Sequence, residues 1–217
     1  MANPRSNDRL IAALGAELVP VRRLPPPWLR TLGWLALVAA FAVLLFARYG
    51  DEPMLRRWAG APDLGWAALG AVLTAATAAW ASFALAVPGR SRAWAWLPLP
   101  PALLWIGASG LGCLRTWLAP DTSIATLHQS ADCLVFIIAF SIPLSALLVW
   151  LLRRACPLRP LLTALLVGLA SAAASASLLE ICHAFDAAAT DLLTHALAVV
   201  IVVVANSALG GRLLSRH

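Results

Sequence analysis

Long uncharged apolar stretches, separated by short polar segments, dominate the pattern of this 217-residue chain. Each stretch is about 20 residues long, the length at which an α-helix crosses the hydrocarbon core of a bilayer. Charge, proline or both border every stretch. The pattern predicts six transmembrane helices, at residues 28–47, 65–87, 94–112, 133–152, 161–181 and 192–209. The expected fold class is therefore all-α, a polytopic membrane protein with residues 28–217 as its six-helix domain.

A shorter amphipathic pattern lies in residues 1–27, before the first span. Its apolar positions recur on one helical face, and they are Leu10, Ile11, Leu14 and Leu18. The segment predicts a short helix that begins near Ser6 or Asn7 and ends at Pro20. Because a helix of about twelve residues is marginal alone in water, this stripe requires a partner surface. The partner is either the bilayer surface or a groove on a cytosolic protein.

Composition and charge exclude a soluble enzyme and set the orientation. The chain is 61 % hydrophobic and 12 % charged, more apolar surface than a soluble fold can bury. All sixteen basic residues are arginine, and the net charge is +6. Four arginines lie in one set of alternating segments, namely Arg48, Arg56, Arg57 and Arg115, and the other twelve lie in the opposite set. The positive-inside rule then places both termini in the cytoplasm, and the charge indicates a membrane protein with no direct nucleic-acid partner.

Candidate chemistry gathers on the non-cytoplasmic side of the predicted topology. Three cysteines map there, Cys113, Cys133 and Cys182, with three histidines, His128, His183 and His195. A disulfide between Cys133 and Cys182 is one interpretation, since that side faces an oxidising compartment. A thiolate pair that binds a soft metal ion, completed by His195 or His183, is another. Packing of the thiols as small apolar side chains is the third.

Catalytic motifs are missing from the sequence. It contains no nucleotide-binding glycine loop, no H-E-x-x-H, no serine elbow and no acid or base in the middle of a span. We therefore expect no enzymatic activity and no resident cofactor. A membrane thiol oxidoreductase that passes electrons to a quinone is an alternative, although the cysteines form no close pair. A small transporter is a further alternative, disfavoured because the spans are read as lacking polar residues at mid-depth.

Several segments, taken in order, resemble the NrsF-type anti-sigma factors. These are six-span inner-membrane proteins that control extracytoplasmic-function sigma factors. The matching segments are LVPVRRLPPPWLR at 18–30, Cys133-Leu134, RRACPLRP at 153–160, Cys182, His195 and GRLLSR at 211–216. They extend over nearly the whole chain, which makes the resemblance a guide to function.

The resemblance implies that the chain holds such a sigma factor inactive at the inner membrane and releases it under heavy-metal or oxidative stress. It assigns signalling to the two outer cysteines, matched by Cys133 and Cys182, with a metal ion as a transient signal. It makes the cytoplasmic N-terminal region the sigma contact. The predicted sensing residues are Cys133, Cys182, His183 and His195. The predicted sigma-binding residues are Leu10, Ile11, Leu14, Leu18, Arg22 and Arg23.

Overall fold

The structure is a computed structural model that describes residues 4–17, 24–60, 62–118, 127–155, 157–182 and 189–215, and every regular element in these ranges is helical. The α-helices are α1 (Pro4–Ala16), α2 (Pro27–Tyr49), α3 (Glu52–Gly60), α4 (Pro62–Leu85), α5 (Leu99–Leu118), α6 (Leu127–Arg153), α7 (Pro160–Cys182), α8 (Ala189–Ala205) and α9 (Gly211–Ser215). A 3₁₀ helix (Arg92–Trp96) precedes α5, and a π-helical turn (Asn206–Gly210) joins α8 to α9. The all-α prediction is confirmed for the described residues.

Six helical stretches within these ranges are long and apolar enough to cross a membrane. They are Pro27–Tyr49, Pro62–Leu85, Arg92–Arg115, Ala131–Arg153, Pro160–Cys182 and Leu192–Leu214. The predicted number of spans is confirmed in that sense, and the structure is consistent with a multi-pass membrane protein.

Within the third span, the α-helix begins at Leu99 and not at the predicted residue 94. The chain first forms the 3₁₀ helix, and α5 starts only at Leu99. The cause is a set of prolines without the backbone N–H groups that an α-helix through Trp94 would need. They are Pro98, Pro100 and Pro101. The tighter bond from the Leu97 N–H to the Trp94 carbonyl, at 3.2 Å, takes the place of an α-helical turn.

Other helix ends also differ from the hydropathy pattern, because local caps and continuing hydrogen bonds override it. The pattern does not predict α3, which begins where the Asp51 carboxylate accepts the Met54 N–H at 3.1 Å. The helix α6 begins at Leu127, well before the predicted residue 133. The helix α1 begins at Pro4, since proline is favoured in a first helical turn, and it ends at Ala16, before Pro20.

The interior of the bundle is formed by α4 and α7, the two helices richest in alanine, glycine and serine. The helix α7 packs against α2, α4, α6 and α8. Its apolar window is 72 % buried and that of α4 is 61 %, against 11 % for α2 and for the last span. Small side chains let neighbouring backbones approach closely, which is how helices associate in membranes without a hydrophobic driving force. The larger apolar side chains of the peripheral helices consequently face outward.

Gly168 on α7 lies close to the backbone of α8, and we expect Gly168→Ala to destabilise the fold. A Cβ at this position would lie 2.8 Å from the Val203 Cα, so the helices would have to separate. We expect the free energy of unfolding to fall by about 1–3 kcal/mol, measured by thermal denaturation in detergent. The control is Gly33→Ala on α2, where a Cβ meets no atom within 4 Å. Equal stability of both variants would contradict the close packing.

Three contacts show that α2 and α6 run antiparallel. The Arg30 guanidinium donates to the Leu151 carbonyl. The buried Trp34 donates its indole N–H to the Leu144 carbonyl at 3.2 Å, as expected of a tryptophan deep in a span. The Phe41 and Phe140 rings meet edge to face at 5.8 Å. These contacts, here called the α2–α6 ladder, place the start of α2 beside the end of α6.

The two ends of the bundle differ in chemistry. Arginines gather at what we call the basic end, which contains Arg30, Arg90, Arg153, Arg154 and Arg159. Arg159 donates to the Arg90 carbonyl at 3.5 Å, which joins the loops before α5 and α7. Three cysteines lie at the opposite end, here called the thiol end, and they are Cys113, Cys133 and Cys182. The helix α6 extends from one end to the other.

Polar side chains do lie at mid-depth between the helices, which corrects the expectation of wholly apolar span centres. Ser141 of α6 donates to the Ser175 hydroxyl of α7 at 3.1 Å, and both are buried. Asn206 donates to the Ser145 hydroxyl at 3.0 Å. Hydropathy averaged over a span hides single serines and asparagines, although such side chains hydrogen-bond across helices and set their register. None of these groups is charged.

Candidate functional site

Cys133 lies in an apolar cluster where α6, α7 and α8 meet. Its side chain is 4 % exposed and shares this cluster with Ile137 of α6, Leu179 of α7 and Ala198 of α8. Oxidants and metal ions in solvent do not reach a thiol with this exposure unless the helices shift. Cys133 is therefore enclosed by side chains of these three helices.

Cys182 and His195 lie on the helices that border Cys133, one turn nearer the thiol end. Cys182 is the last residue of α7, three positions after Leu179, and is half-buried, with its thiol 3.9 Å from the Leu178 carbonyl. His195 is half-buried three positions before Ala198 on α8. Residues three apart share a helix face. The predicted sensing residues Cys133, Cys182 and His195 thus come from three adjoining helices at one end of the bundle.

The sensing residues do not form a ready metal site in this structure. In the ranges that the structure describes, no three His, Cys, Asp or Glu side chains are grouped closely enough to hold a metal ion. No disulfide joins the described cysteines, Cys113, Cys133 and Cys182. His183, the fourth predicted sensing residue, lies outside the described residues, as does Cys156.

The helix α1 presents the predicted apolar stripe without packing it into the bundle. Every residue from Asn7 to Glu17 is exposed. Leu10, Ile11 and Leu14 keep 57–68 % of their surface accessible, so the stripe is available to a partner. Three further residues of the predicted sigma-binding set lie outside the described residues, namely Leu18, Arg22 and Arg23.

Arg30 connects the segment that carries α1 to the bundle. The extended Pro26, at φ −60° and ψ 151°, leads directly into α2. One turn later the Arg30 guanidinium donates to the carbonyl of Leu151 and stacks 4.2 Å from the centre of the Phe83 ring. Leu151 lies in the last turn of α6, where helix carbonyls lack partners and carry partial negative charge. A single arginine therefore joins the start of α2 to the ends of α4 and α6.

We expect Arg30→Met to destabilise the protein, because it removes a charge-assisted hydrogen bond and a cation–π contact. The expected loss is about 2 kcal/mol in the free energy of unfolding, measured by thermal denaturation in detergent. Arg30→Lys should recover only part of it, since an ammonium lacks the planar fork that both donates and stacks. The control is Arg92→Met, an exposed arginine at the same end. If both methionine variants lose the same stability, Arg30 has no special structural role.

Sequence reasoning missed the contacts of Arg30, and a signal for them exists in the sequence. Arg30, Thr31, Trp34, Leu35 and Val38 follow the spacing of one helix face. Thr31 and Trp34 are buried, and Leu35 and Val38 pack against the core. Arg30 thus lies on the same helix face as the buried residues, one turn before Trp34. This position indicates a contact with other helices of the bundle, in addition to any contact with lipid phosphates.

The fold and these sites together define a class: an all-helical protein of multi-pass membrane type that carries a short amphipathic helix outside its bundle. Residues 14–215 match the family described as NrsF, negative regulator of sigma F. The match covers most of the chain, and the protein belongs to this family. The matched range includes Leu14, Cys133 and Cys182. It begins after Leu10 and Ile11. No curated protein and no solved structure matched the chain.

Membership in this family supports a function as a negative regulator of a sigma factor and suggests a sigma factor as the partner. The helical bundle and the exposed stripe of α1 are compatible with that class.

Proposed function

We propose that this protein is a membrane-bound anti-sigma factor that captures an extracytoplasmic-function sigma factor through α1 and releases it when its thiol end meets a heavy-metal ion or an oxidant. The observation that carries the proposal is the exposed apolar stripe of Leu10, Ile11 and Leu14 on a helix outside the bundle. A helix of this length is marginal in water without a partner. A sigma factor that buries the stripe supplies that partner, so residues 1–27 act as the binding segment and residues 28–217 as the membrane domain.

The distribution of arginine supports an orientation with both termini in the cytoplasm. The basic end carries most of the arginines of the bundle, and the positive-inside rule assigns such an end to the cytoplasmic side of the inner membrane. The thiol end then faces the oxidising compartment, where thiols meet metal ions and oxidants first. The sigma factor binds on the side where transcription takes place, and the protein itself contacts no nucleic acid. We infer no catalytic role and no resident cofactor.

The burial of Cys133 supports a sensing mechanism that involves helix movement. Cys182 is the more accessible thiol, at the end of α7, whereas Cys133 is enclosed between α6, α7 and α8. A soft metal ion held by both thiolates, or a disulfide between them, draws the start of α6 toward the end of α7. His195 and His183, the residue that follows Cys182 in the sequence, are the side chains proposed to complete a metal site.

The α2–α6 ladder supplies a route from the thiols to α1. Cys133 lies in the second turn of α6 and Leu151 in its last turn, about 27 Å apart along the helix, close to the thickness of the hydrocarbon core. A shift of α6 therefore alters the contact between Leu151 and Arg30, which lies in the first turn of α2, the helix that follows α1 in the chain. A metal ion or oxidant shifts the equilibrium between two helix arrangements only if it interacts more favourably with one of them. A coupling of about 3 kcal/mol changes sigma affinity by more than about 100-fold.

Co-purification tests the proposal. The full chain and a chain without residues 1–27 are expressed with the sigma factor and extracted from membranes in mild detergent. We expect the sigma factor to co-purify with the full chain alone. Since α1 is not packed into the bundle, the truncated chain should keep its thermal stability. Retention of the sigma factor by the truncated chain would show that its binding surface lies elsewhere.

A further inference from the structure

A groove of about 560 Å³ runs along the outside of the bundle between α6 and the last helical stretch. Its apolar lining includes Ile142, Val149 and Leu209, and two of these side chains, Ile142 and Leu209, are more than 60 % exposed. The groove therefore opens toward the surroundings of the bundle, which in a membrane are lipid chains. Neither the family description nor the proposed sensing mechanism uses this surface.

The groove is long enough to hold an acyl chain across one leaflet of a bilayer. On α6 it is lined from Ile138 to Arg153, about 22 Å along the helix axis. The apolar window of the same helix is Ala131–Arg153, so Ile142 lies at its middle and Arg153 at its end. One leaflet of hydrocarbon is about 15 Å thick. An acyl chain that enters at the Arg153 level thus reaches the centre of the bilayer inside the groove.

The polar side chains of the groove wall already have hydrogen-bond partners. The Ser145 hydroxyl accepts from the Asn206 amide, which also donates to the Val202 carbonyl at 2.9 Å. Ser141 donates to the Ser175 hydroxyl on α7. The Ser141 hydroxyl and the Asn206 amide thus donate within the protein, as buried polar groups generally do. A polar solute would have to compete for these bonds.

Positive charge at one end of the groove favours an occupant with an anionic headgroup. Arg153 lines the groove at the basic end, next to Trp150, the amphipathic side chain that is enriched at membrane interfaces. Arg154 lies 4.9 Å from the centre of the Trp150 ring, and Arg212 lies on the adjoining α9. A phosphate at this level is attracted by several guanidinium groups. A second copy of this chain, related by a two-fold axis along the membrane normal, would instead bring like charges together.

We propose that this groove binds one anionic diacyl phospholipid, with its phosphate beside Arg153 and an acyl chain along α6 as far as Ile142. The site lies on the same helix that joins Cys133 to Leu151, so the bound lipid contacts the element proposed to move. The proposal itself rests only on the groove, its length and its charge, and it stands whether or not the protein binds a sigma factor.

Native mass spectrometry of the full chain tests the site. The protein is reconstituted in nanodiscs of phosphatidylglycerol or phosphatidylcholine and then released from them. We expect one phosphatidylglycerol to stay bound and phosphatidylcholine to be lost. Arg153→Gln should weaken retention about fivefold, the effect of one arginine near a charged headgroup. Its matched control, Arg92→Gln, removes an exposed arginine at the same end away from the groove and should retain the lipid.

A second variant tests the groove rather than the charge. Ala146→Trp fills the groove at an exposed lining position, and Ala40→Trp places the same side chain on the exposed face of α2. We expect only Ala146→Trp to lose the lipid, with unchanged thermal stability in both. The proposal would be overturned if Arg92→Gln and Arg153→Gln lost the lipid equally, or if phosphatidylcholine stayed bound as well as phosphatidylglycerol. It would also be overturned if Ala146→Trp kept the lipid, or if the protein formed a dimer without lipid.

Discussion

Replacing Leu10 and Leu14 together by aspartate is expected to weaken sigma-factor binding by more than about 100-fold. A buried leucine contributes about 1.5–3 kcal/mol, so the loss of two predicts at least about 3 kcal/mol of binding free energy. Both side chains are exposed on a helix that is not packed into the bundle. The thermal stability of the membrane domain should therefore not change. In cells the expected result is a sigma-dependent promoter that is active without a signal.

The matched control places the same charges on the opposite face of α1. Ala12→Asp with Ala16→Asp introduces two aspartates into the same helix, at positions that point away from the stripe. This variant carries a similar cost in helix propensity and should keep promoter repression near the level of the unmodified chain. Binding is measured by co-purification and by titration of the purified sigma factor against the protein in nanodiscs. Equal loss in both double variants would indicate dependence on helix formation or net charge rather than on the stripe.

Replacing Cys133 and Cys182 together by serine is expected to abolish induction and to leave repression intact. Serine keeps the approximate size of cysteine but neither forms a disulfide nor binds a soft metal ion as a thiolate does. The sigma-dependent promoter should stay at its uninduced level when cells are exposed to cadmium, chromate or peroxide. Because Cys133 is buried in an apolar cluster, Cys133→Ala serves as a second variant that brings no hydroxyl into that cluster.

The control for the sensing prediction is Cys113→Ser. Cys113 lies at the same end of the bundle on α5 and is half-buried, as Cys182 is, but it is outside the cluster that joins α6, α7 and α8. This variant should respond to the signal as the unmodified chain does. Normal induction in the double serine variant would remove the sensing role from these thiols. Loss of induction in all three variants would indicate a general requirement for thiols at this end.

The number of spans follows from hydropathy, because about 20 apolar residues in a row have few alternatives to a membrane helix. The first and last residues of the helices do not follow from hydropathy, because single hydrogen bonds determine where a helix begins and ends. Pro98, Pro100 and Pro101 deny donors to a helix through Trp94, so α5 starts at Leu99. Asp51 caps α3 in a segment that hydropathy alone describes as a loop. The sequence predicts these helix limits only if a hydrogen-bond acceptor is assigned to each backbone N–H group.

The candidate sites were predictable to different degrees. The stripe of α1 follows from helical spacing alone, since Leu10, Ile11 and Leu14 share a face whatever the remainder of the chain does. The resemblance implied the roles of Cys133 and Cys182, but the burial of Cys133 against Leu179 and Ala198 depends on which helices pack together. The contact of Arg30 with Leu151 joins residues 121 positions apart. Local patterns cannot supply such a contact, because it depends on how the helices are arranged in the bundle.

The coupling between the thiol end and α1 is tested most directly by the affinity of the sigma factor for the protein in nanodiscs. The dissociation constant is measured before and after addition of cadmium or peroxide to the nanodiscs. The proposed mechanism predicts an increase of more than about 100-fold for the unmodified chain, and no change for the Cys133→Ser, Cys182→Ser variant. An unchanged dissociation constant in the unmodified chain, or an equal increase in the variant, would contradict control of sigma binding by these thiols.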